Sequence, residues 1–208
     1  MKRAAAILAG GESSRLSNKP LVLLAGKPMI LNTINRCERI VDELLVVVNS
    51  LEQSESISGI LNEKSGLRVV IDRREDFSSP LLGARTAFEN SMSELTLLLP
   101  CDAPLVKESL LKLLFDTIDG WDSVIPRYPT GHIEPLFAVY KTGAGLQAAT
   151  NAVSAGRRSM RDLIMRLNTI YLSTGTIKEI DPFLESFTNV NTPDELKRVE
   201  QRLKRGLS

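Results

Sequence analysis

Hydrophobic positions along the chain fall into two alternating kinds of segment. Short, nearly continuous apolar runs, typical of buried parallel strands, occupy residues 4–8, 44–48, 67–71, 95–99 and 123–125. The stretches between them include helix-like segments, residues 28–41 and 107–118, in which apolar residues recur every three or four positions. This alternation predicts an α/β fold with a doubly wound, mostly parallel sheet between two helical layers, a three-layer α/β/α arrangement.

The rhythm changes beyond Pro126, where shorter elements follow one another without a linker or a repeat. The pattern predicts a strand over residues 136–140, helices over 145–155 and 159–167, and a short strand over 169–172. A last helix has the strongest local features, because Thr192 can cap it, Pro193 suits its first turn and Glu195 completes a capping box. We therefore expect a single domain over residues 1–208.

The charge balance excludes several classes of partner. The 208 residues include 26 Lys and Arg against 25 Asp and Glu, and the net charge of +1 gives no reason to expect binding to nucleic acid or to an anionic membrane. No apolar run approaches the roughly 18 residues that a membrane span needs. We expect a cytoplasmic protein.

Histidine and cysteine are scarce. His132 is the single histidine, and it lies in a polar loop where a solvated or packing role is favoured over a catalytic one. Cys37 and Cys101 have no Cys or His near them in sequence, which disfavours a zinc site, an iron–sulfur cluster or a disulfide framework. An enzyme of this composition would work through carboxylates, Lys, Arg and a hard, oxygen-bound metal ion.

The loop after the first strand has the composition of a phosphate site. Ligands of open α/β sheets bind beyond the carboxyl ends of the strands, and here the chain continues with Gly10, Gly11, two serines, Arg15 and Lys19. Glycines let the backbone approach a ligand closely, and two cations among backbone N–H donors suit a polyphosphate. The spacing matches neither a P-loop nor a dinucleotide-binding fingerprint. The alternative is a tight turn with solvated cations.

Asp102 follows the fourth predicted strand directly, between Pro100 and Pro104. A charge at this place is costly without a partner, and the prolines stiffen the turn that presents it. Mg²⁺ usually takes one or two protein carboxylates and completes its shell with water and substrate phosphates, so one Asp opposite a phosphate loop is sufficient. The alternative is an aspartate that caps a helix or a turn.

Two more polar residues follow predicted strands. Asn49 comes after the second strand and Asp72 after the third, where either could hydrogen-bond a base or a ribose. In isolation a turn role is favoured for both, because Asn and Asp commonly end strands for that reason. Residues 78–84 are predicted as a loop that runs into a helix whose N-terminus could face the same crevice.

Taken together, these segments resemble the nucleotide-diphospho-sugar-transferase-like nucleotidylyltransferases and, within them, the molybdenum cofactor guanylyltransferases. The resemblance runs from Ala5 to Leu196 and rests on residues 8–19, 80–83, 100–104, 134–138, 156–158 and 189–193. The first loop and the Asp102 segment belong to the wider superfamily, whereas Asn189-Val190-Asn191-Thr192-Pro193 narrows it to the molybdopterin branch. It implies a Rossmann-like nucleotidyltransferase fold, with a nucleotide-binding half over residues 1–125 and an acceptor-binding half over residues 126–208.

The resemblance also implies a role for each candidate residue. GTP would be the substrate, Mg²⁺ the cofactor and a molybdopterin-type phosphate the acceptor. Leu8, Ala9, Gly10 and Gly11 would lie against the nucleotide, Arg15 and Lys19 on its phosphates, Asn49 and Asp72 on the base or ribose side, Asp102 on Mg²⁺, and Arg157, Asn189 and Asn191 on the acceptor. Catalysis would fall to Arg15, Lys19 and Asp102.

The reaction implied is the transfer of GMP to the terminal phosphate of molybdopterin with release of pyrophosphate. Molybdoenzymes or other cofactor-biosynthesis proteins would be the protein partners, with no role for nucleic acid or membrane. The sequence departs from the usual family pattern in its first loop, which is shorter and has Ser17 in place of Gly and Asn18 in place of Asp. Ser79 also replaces the Gly that usually precedes Pro-Leu.

Two other functions stay open at this point. One is nucleotidyl transfer with another base or acceptor, as in molybdopterin cytidylyltransferases, cobinamide-phosphate guanylyltransferases or sugar-phosphate relatives. The other is a catalytically weak, nucleotide-binding protein that delivers cofactor to a partner. The presence of Arg15, Lys19 and Asp102 favours an active transferase.

Overall fold

The computed structural model describes residues 1–10, 18–61, 66–72 and 79–205. Strands among these residues are β1 (Arg3–Leu8), β2 (Leu23–Leu24), β3 (Lys27–Pro28), β4 (Glu43–Val48), β5 (Leu67–Ile71), β6 (Leu95–Pro100), β7 (Ser123–Arg127), β8 (Ala138–Lys141) and β9 (Thr169–Ser173). Helices are α1 (Met29–Cys37), α2 (Leu51–Leu61), α3 (Pro80–Asn90), α4 (Glu108–Thr117), α5 (Thr142–Ser154), α6 (Met160–Ile164), α7 (Thr174–Ile177) and α8 (Pro193–Arg205). In the part of the chain covered by these ranges, no helix is both long and apolar enough to cross a lipid bilayer.

The central sheet has the strand order β5-β4-β1-β6-β8-β7-β9. Strand β8 runs antiparallel to both of its neighbours, and the other neighbouring strands are parallel. The predicted doubly wound, mostly parallel sheet is therefore confirmed. The chain proceeds from β1 outward through β4 to β5 and then crosses to the other side of β1 with β6. The strand order thus reverses between β1 and β6, which is where open α/β sheets bind ligands.

Two apolar layers cover the two faces of this sheet. Ala5 and Leu97 pack with α1, α2 and α4 on one face, and Ala6 and Leu98 pack with α3, α5 and α6 on the other. Successive residues of a strand point to opposite faces, and burial on both faces explains the nearly continuous apolar runs of the sequence. The three-layer arrangement is confirmed.

A smaller apolar cluster joins the start of the chain to its end. Leu24 and Met29, at the β2–β3 hairpin and the start of α1, pack against Val190 and Val199. The hairpin was not predicted, because its two-residue turn is Ala25-Gly26, with φ of 51° and 78°, and Ala is an unusual residue in that left-handed position. This cluster holds the segment before α8 beside the end of β6.

Several predicted boundaries shift for local reasons. Helix α1 ends at Cys37 and not at residue 41, because the Ile40 amide donates back to the Cys37 carbonyl oxygen at 2.8 Å and turns the chain. Strand β8 begins at Ala138 and not at residue 136, because the Phe137 amide closes a turn on the Glu134 carbonyl oxygen at 3.0 Å.

The segment predicted as a loop over residues 78–84 is helical from Pro80 onward. Ser79 caps α3, because its hydroxyl oxygen accepts a hydrogen bond from the Leu82 amide at 3.3 Å. Pro80 occupies the first helical position, where its missing N–H costs nothing. The predicted helix is therefore present, but the prediction was wrong for residues 80–84, because Ser79 and Pro80 already start the helix.

Candidate active site

Four residues singled out from the sequence, three of them polar, follow four neighbouring strands at one edge of the sheet. Asp72 follows β5, Asn49 follows β4, Gly10 lies just beyond β1 and Asp102 just beyond β6. These four strands are parallel, so their carboxyl ends meet at the same edge. Neighbouring strands are about 4.8 Å apart, which puts the ends of β5 and β6 about 14 Å from each other. The edge therefore presents a row in the order Asp72, Asn49, Gly10, Asp102.

Lys19 is bound at the Asp102 end of this row. Its Nζ atom donates to Asp102 Oδ2 at 2.7 Å and to Asn191 Oδ1 at 2.7 Å. The Lys19 and Asp102 side chains are only 14% and 12% exposed. A pair so well shielded from water interacts more strongly than a surface ion pair does. Three residues that the sequence predicted for phosphate, metal and acceptor thus meet at one point.

The backbone before Lys19 takes an uncommon conformation. Asn18 has φ 52° and ψ 45°, in the left-handed region, and begins a short 3-10 helix over Lys19–Leu21. Asn tolerates this region better than other residues with a side chain, apart from Asp. The Leu21 amide then donates to the Asn18 carbonyl oxygen at 2.9 Å. This turn fixes the start of the Lys19 side chain.

The segment that carries Asn191 is fixed from both sides. The Val190 amide donates to the Asp102 carbonyl oxygen at 3.0 Å. Beyond it, the Glu195 amide donates to Thr192 Oγ1 at 3.2 Å, and Glu195 Oε2 accepts from the Thr192 and Asn191 amides at 3.0 and 2.7 Å. The predicted capping box is confirmed, and it holds the Asn191 backbone beside Asp102.

Gly10 and Asn49 are in close contact at the centre of the row. A Cβ atom on residue 10 would lie 1.9 Å from Asn49 Oδ1, so any larger residue would displace the amide. Gln53 of α2 fixes both neighbouring backbones: its Nε2 donates to the Ala9 carbonyl oxygen at 2.9 Å, and its Oε1 accepts from the Asn49 amide at 3.1 Å. Gln53 was not singled out from the sequence, because α2 buries only Ile57 and Leu61 and its apolar pattern is weak.

Asp72 is buried at the outer end of the row. Its Oδ1 accepts a hydrogen bond from Thr86 Oγ1 at 2.5 Å, and its amide donates to the Val48 carbonyl oxygen at 2.7 Å. The first contact fixes the carboxylate to α3, and the second fixes the backbone to β4. The sequence did not indicate Thr86, which lies on the buried side of α3.

A cavity of about 480 Å³ lies next to Asp102, on the side of β6 that faces β8 and away from Gly10, Asn49 and Asp72. Because β8 is antiparallel, the loop before it reaches the edge where the parallel strands end. The lining residues are Pro80, Pro100, His132, Ile133, Glu134, Pro135, Leu136, Phe137, Arg158, Ser159, Met160, Arg161 and Asn189. Pro100 and Asn189 each stand two residues before Asp102 and Asn191, so the cavity adjoins the Lys19 cluster.

Comparison with known proteins decides the family. Residues 5–170 match the family model of the MobA-like NTP transferase domain. The chain belongs to this family. The resemblance stated from the motifs is confirmed, and the protein is a nucleotidyltransferase.

Individual relatives cover nearly the whole of this MobA-like chain. A probable molybdenum cofactor guanylyltransferase of Haloferax mediterranei is 32% identical over 202 residues, which are 96% of this chain and 94% of that protein. The molybdenum cofactor guanylyltransferase of Desulfosudis oleivorans is 29% identical over 203 residues, with 96% and 95% covered. The crystal structure of molybdopterin-guanine dinucleotide biosynthesis protein A from Archaeoglobus fulgidus has a TM-score of 0.81 at 26% identity, with 97% and 99% covered.

The two arginines after α5 differ in position in this nucleotidyltransferase. Arg158 lines the cavity. Arg157, which the sequence predicted for the acceptor, has a side chain that is 63% exposed, with its Nε 4.0 Å from Asp162 Oδ1. Gly156, with φ 69°, turns the chain between α5 and this pair. Two other candidates, Gly11 and Arg15, lie outside the described residues.

The cysteines of this MobA-like chain are not poised for nucleophilic chemistry. Cys101, although next to Asp102, is buried, and burial together with the neighbouring Asp102 charge raises the pKa of its thiol to about 12. Burial likewise raises the pKa of Cys37 to about 12. Both thiols stay protonated at neutral pH, and a thiolate is the reactive form.

Oxygen atoms are the donors available for a metal ion. Among the residues that the structure describes, no group of three or more His, Cys, Asp and Glu side chains could hold a metal. Asp102 Oδ2 and Asn191 Oδ1, however, both lie 2.7 Å from the Lys19 ammonium, so two oxygens already converge on a cation. An all-oxygen set with one carboxylate fits Mg²⁺, which takes its other ligands from water and substrate phosphates.

Proposed function

We propose that this protein transfers GMP from GTP to the phosphate of molybdopterin and releases pyrophosphate. One observation carries the proposal: the Lys19–Asp102–Asn191 cluster lies between a row of polar residues on one side and a cavity on the other. Such an arrangement suits two substrates whose phosphates meet at the cluster. The names of the Haloferax and Desulfosudis relatives supply the identities of the base and the acceptor.

The nucleotide would lie along the row from Asp72 to Asp102. Leu8, Ala9 and Gly10 would contact it, with Gly11 and Arg15 of the same loop, and Asn49 and Asp72 would face its base or ribose. The row is about 14 Å long at the strand spacing. Its polar groups are fixed by Gln53 and Thr86, which favours a rigid, preformed site.

The chemistry needs no general base. The acceptor is a phosphate monoester and is ionised at neutral pH, so one of its oxygens can attack the α-phosphorus of GTP directly. The new P–O bond forms as the bond from the α-phosphorus to the bridging oxygen of the β-phosphate breaks, and pyrophosphate leaves with that electron pair. Lys19, with Arg15, would hold the phosphates in line and offset the charge that grows on the leaving group.

Mg²⁺ is the metal that this site would take, with Asp102 as its protein carboxylate. When bound, it would neutralise phosphate charge as a Lewis acid. Lys19 is paired with Asp102 at 2.7 Å in the present arrangement, so the triphosphate would replace Asp102 as the partner of the Lys19 ammonium. Asn191 would keep Lys19 in place during this exchange, because it accepts from the same Nζ atom.

The acceptor would occupy the cavity beside Asp102. Asn189 and Arg158 line it, and Arg158 brings a positive charge to its wall. Asn191 lies two residues beyond Asn189 and binds Lys19. Arg157 stays a candidate for the outer part of the acceptor, since it lies beside Arg158 on the exposed side. The nucleotide half over residues 1–125 and the acceptor half over residues 126–208 would then meet at Asp102.

The test is pyrophosphate release with each of the four nucleoside triphosphates, in the presence of Mg²⁺ and molybdopterin. Release with GTP and molybdopterin together, and with neither alone, is the expected result. Release with CTP and not with GTP would refute guanine as the base. Release only with another phosphate acceptor would refute molybdopterin as the acceptor. Binding of GTP without release under any of these conditions would refute the transfer.

A further inference from the structure

We infer that Glu134 recognises the acceptor by accepting two N–H groups from a 2-amino-4-oxopyrimidine edge, such as the edge of a pterin ring. The inference rests on the proposed function, because it assigns the cavity beside Asp102 to the acceptor. It names a specificity residue that was not singled out for this role from the sequence, although Glu134 belongs to the segment at residues 134–138.

The loop that carries Glu134 is fixed by backbone hydrogen bonds. The Glu134 amide donates to the Pro126 carbonyl oxygen at 3.0 Å, and the Glu134 carbonyl oxygen accepts from the Phe137 amide at 3.0 Å. The buried Tyr140 hydroxyl donates to the Pro135 carbonyl oxygen at 2.8 Å. A side chain on such a loop starts from a defined position, which a recognition residue needs.

The Glu134 carboxylate is largely removed from water at the wall of the cavity. Its side chain is 20% exposed, and its Oε1 lies 3.3 Å from Nε2 of the more exposed His132. Burial raises the pKa of Glu134, and the neighbouring His132 opposes that shift. A partly desolvated carboxylate gains most from charge-assisted N–H donors, and the 2-amino and ring N–H groups of an aminopyrimidinone form a matching parallel pair.

The remaining lining suits a flat ring. Pro80, Pro135, Leu136 and Met160 are apolar and bound the same space as Glu134. Asn189 also lines the cavity, and among the described residues no donor reaches its buried Oδ1. A buried acceptor without a partner is costly, and a ligand N–H group that met it after a side-chain rotation would remove that cost.

Guanine has the same 2-amino and ring N–H groups as a pterin. The cavity, however, lies on the opposite side of Asp102 from the row of residues assigned to the nucleotide. Asn49 and Asp72 follow β4 and β5, whereas the Glu134 loop precedes β8, and β6 with Asp102 lies between them in the sheet. A guanine in the cavity would leave the row from Asp72 to Gly10 without a ligand. The pterin end of the acceptor is therefore the occupant that we assign.

The test compares pterin with lumazine, in which an oxo group replaces the 2-amino group. Binding of each to the nucleotide-free protein is followed by ligand fluorescence. We expect the unmodified protein to bind pterin about tenfold or more tightly than lumazine, and Glu134→Gln to abolish that preference. Glu179→Gln, an exposed control, keeps the preference. No preference in the unmodified protein, or a full preference in Glu134→Gln, would overturn the inference.

Two further measurements distinguish pterin from guanine as the ligand of the cavity, and Glu134 from His132 as the residue that recognises it. The ratio of GTP to ITP affinity should be the same in Glu134→Gln as in the unmodified protein; a loss of GTP preference would place guanine in the cavity and overturn the inference. His132→Asn keeps the carboxylate and should keep the pterin preference, and its loss there would assign recognition to His132 instead. Absence of pyrophosphate release would refute the proposed function, whereas these binding ratios do not depend on turnover.

Discussion

The Lys19 ammonium and the Asp102 carboxylate form a shielded ion pair, with Nζ and Oδ2 2.7 Å apart, at the point where the strand order of the sheet reverses. Their side chains come from the loops after β1 and β6, which are neighbours in space although 83 positions separate the two residues. The same loops would carry the phosphates and the metal of a nucleotidyl transfer. Substitution of either residue should therefore affect nucleotide binding or transfer more than it affects stability.

Asp102→Asn should reduce transfer far more than it reduces stability, so the variant should still fold. Asparagine has the same shape but lacks the charge that would hold Mg²⁺, so we expect a loss of about 100-fold or more in the rate of pyrophosphate release. The measurement is the release rate together with the thermal unfolding midpoint. Asp119→Asn, at an exposed position, is the matched control. Full activity in Asp102→Asn would remove this residue from the metal.

Lys19→Met should weaken triphosphate binding far more than monophosphate binding. The ammonium would contact phosphates that GMP lacks, so we expect the Kd for GTP to rise about tenfold or more and the Kd for GMP to change little. Calorimetric titration of both nucleotides gives the two values. Lys112→Met, on an exposed part of α4, is the control. Equal losses for the two nucleotides would contradict a contact with the outer phosphates.

Gly10→Ala should destabilise the protein through Asn49. The added Cβ would lie 1.9 Å from Asn49 Oδ1 and displace the Asn49 side chain, which costs about 0.5–1.5 kcal/mol of unfolding free energy. Denaturant unfolding of the single variant and of Gly10→Ala with Asn49→Ala tests the cause. The double variant should regain stability because the clash is gone. It should bind GTP weakly, because it lacks the Asn49 side chain assigned to the base or ribose. A double variant as unstable as the single one would place the clash elsewhere.

Some features of the site could be predicted from the sequence because they are local. The apolar runs, the position of Asp102 after β6 and the Thr192–Glu195 capping box each depend on a few neighbouring residues. The contact between Lys19 and Asn191 spans 172 positions and depends on how α8 packs against the hairpin, which no local pattern contains. Arg158 lines the cavity and Arg157 does not, and this difference could not be predicted from the sequence because the two neighbours are the same residue type.

Asp181→Asn should lower the stability of the protein and flatten its acid dependence. Asp181 is fully buried and accepts hydrogen bonds from Lys107 Nζ at 2.8 Å, the Ser186 amide at 2.9 Å and the Glu185 amide at 3.1 Å. Burial alone would raise the pKa of Asp181, but these donors outweigh it and lower the pKa below the usual aspartate value. The unfolded chain then binds the proton more tightly than the folded one, so this contribution is present above about pH 4 and is lost as the pH falls through the lowered pKa.

We expect Asp181→Asn to lower the free energy of unfolding by about 1–3 kcal/mol at neutral pH, because it weakens charge-assisted hydrogen bonds to a buried group. Urea unfolding at several pH values measures it. The difference in unfolding free energy between the unmodified protein and the variant should become smaller as the pH falls below about 4. A gap that does not change with pH would show that the Asp181 charge is not what holds the Glu185–Phe187 segment ahead of Asn189.

The fate of the α-phosphate of GTP tests the central claim most directly. The protein is incubated with Mg²⁺, molybdopterin and GTP labelled with ³²P at either the α or the γ position, and the products are separated. We expect the α label in a dinucleotide product and the γ label in pyrophosphate, with both signals lost in Asp102→Asn. The γ label in the acceptor, or the α label in free GMP alone, would contradict nucleotidyl transfer at the Lys19–Asp102 site.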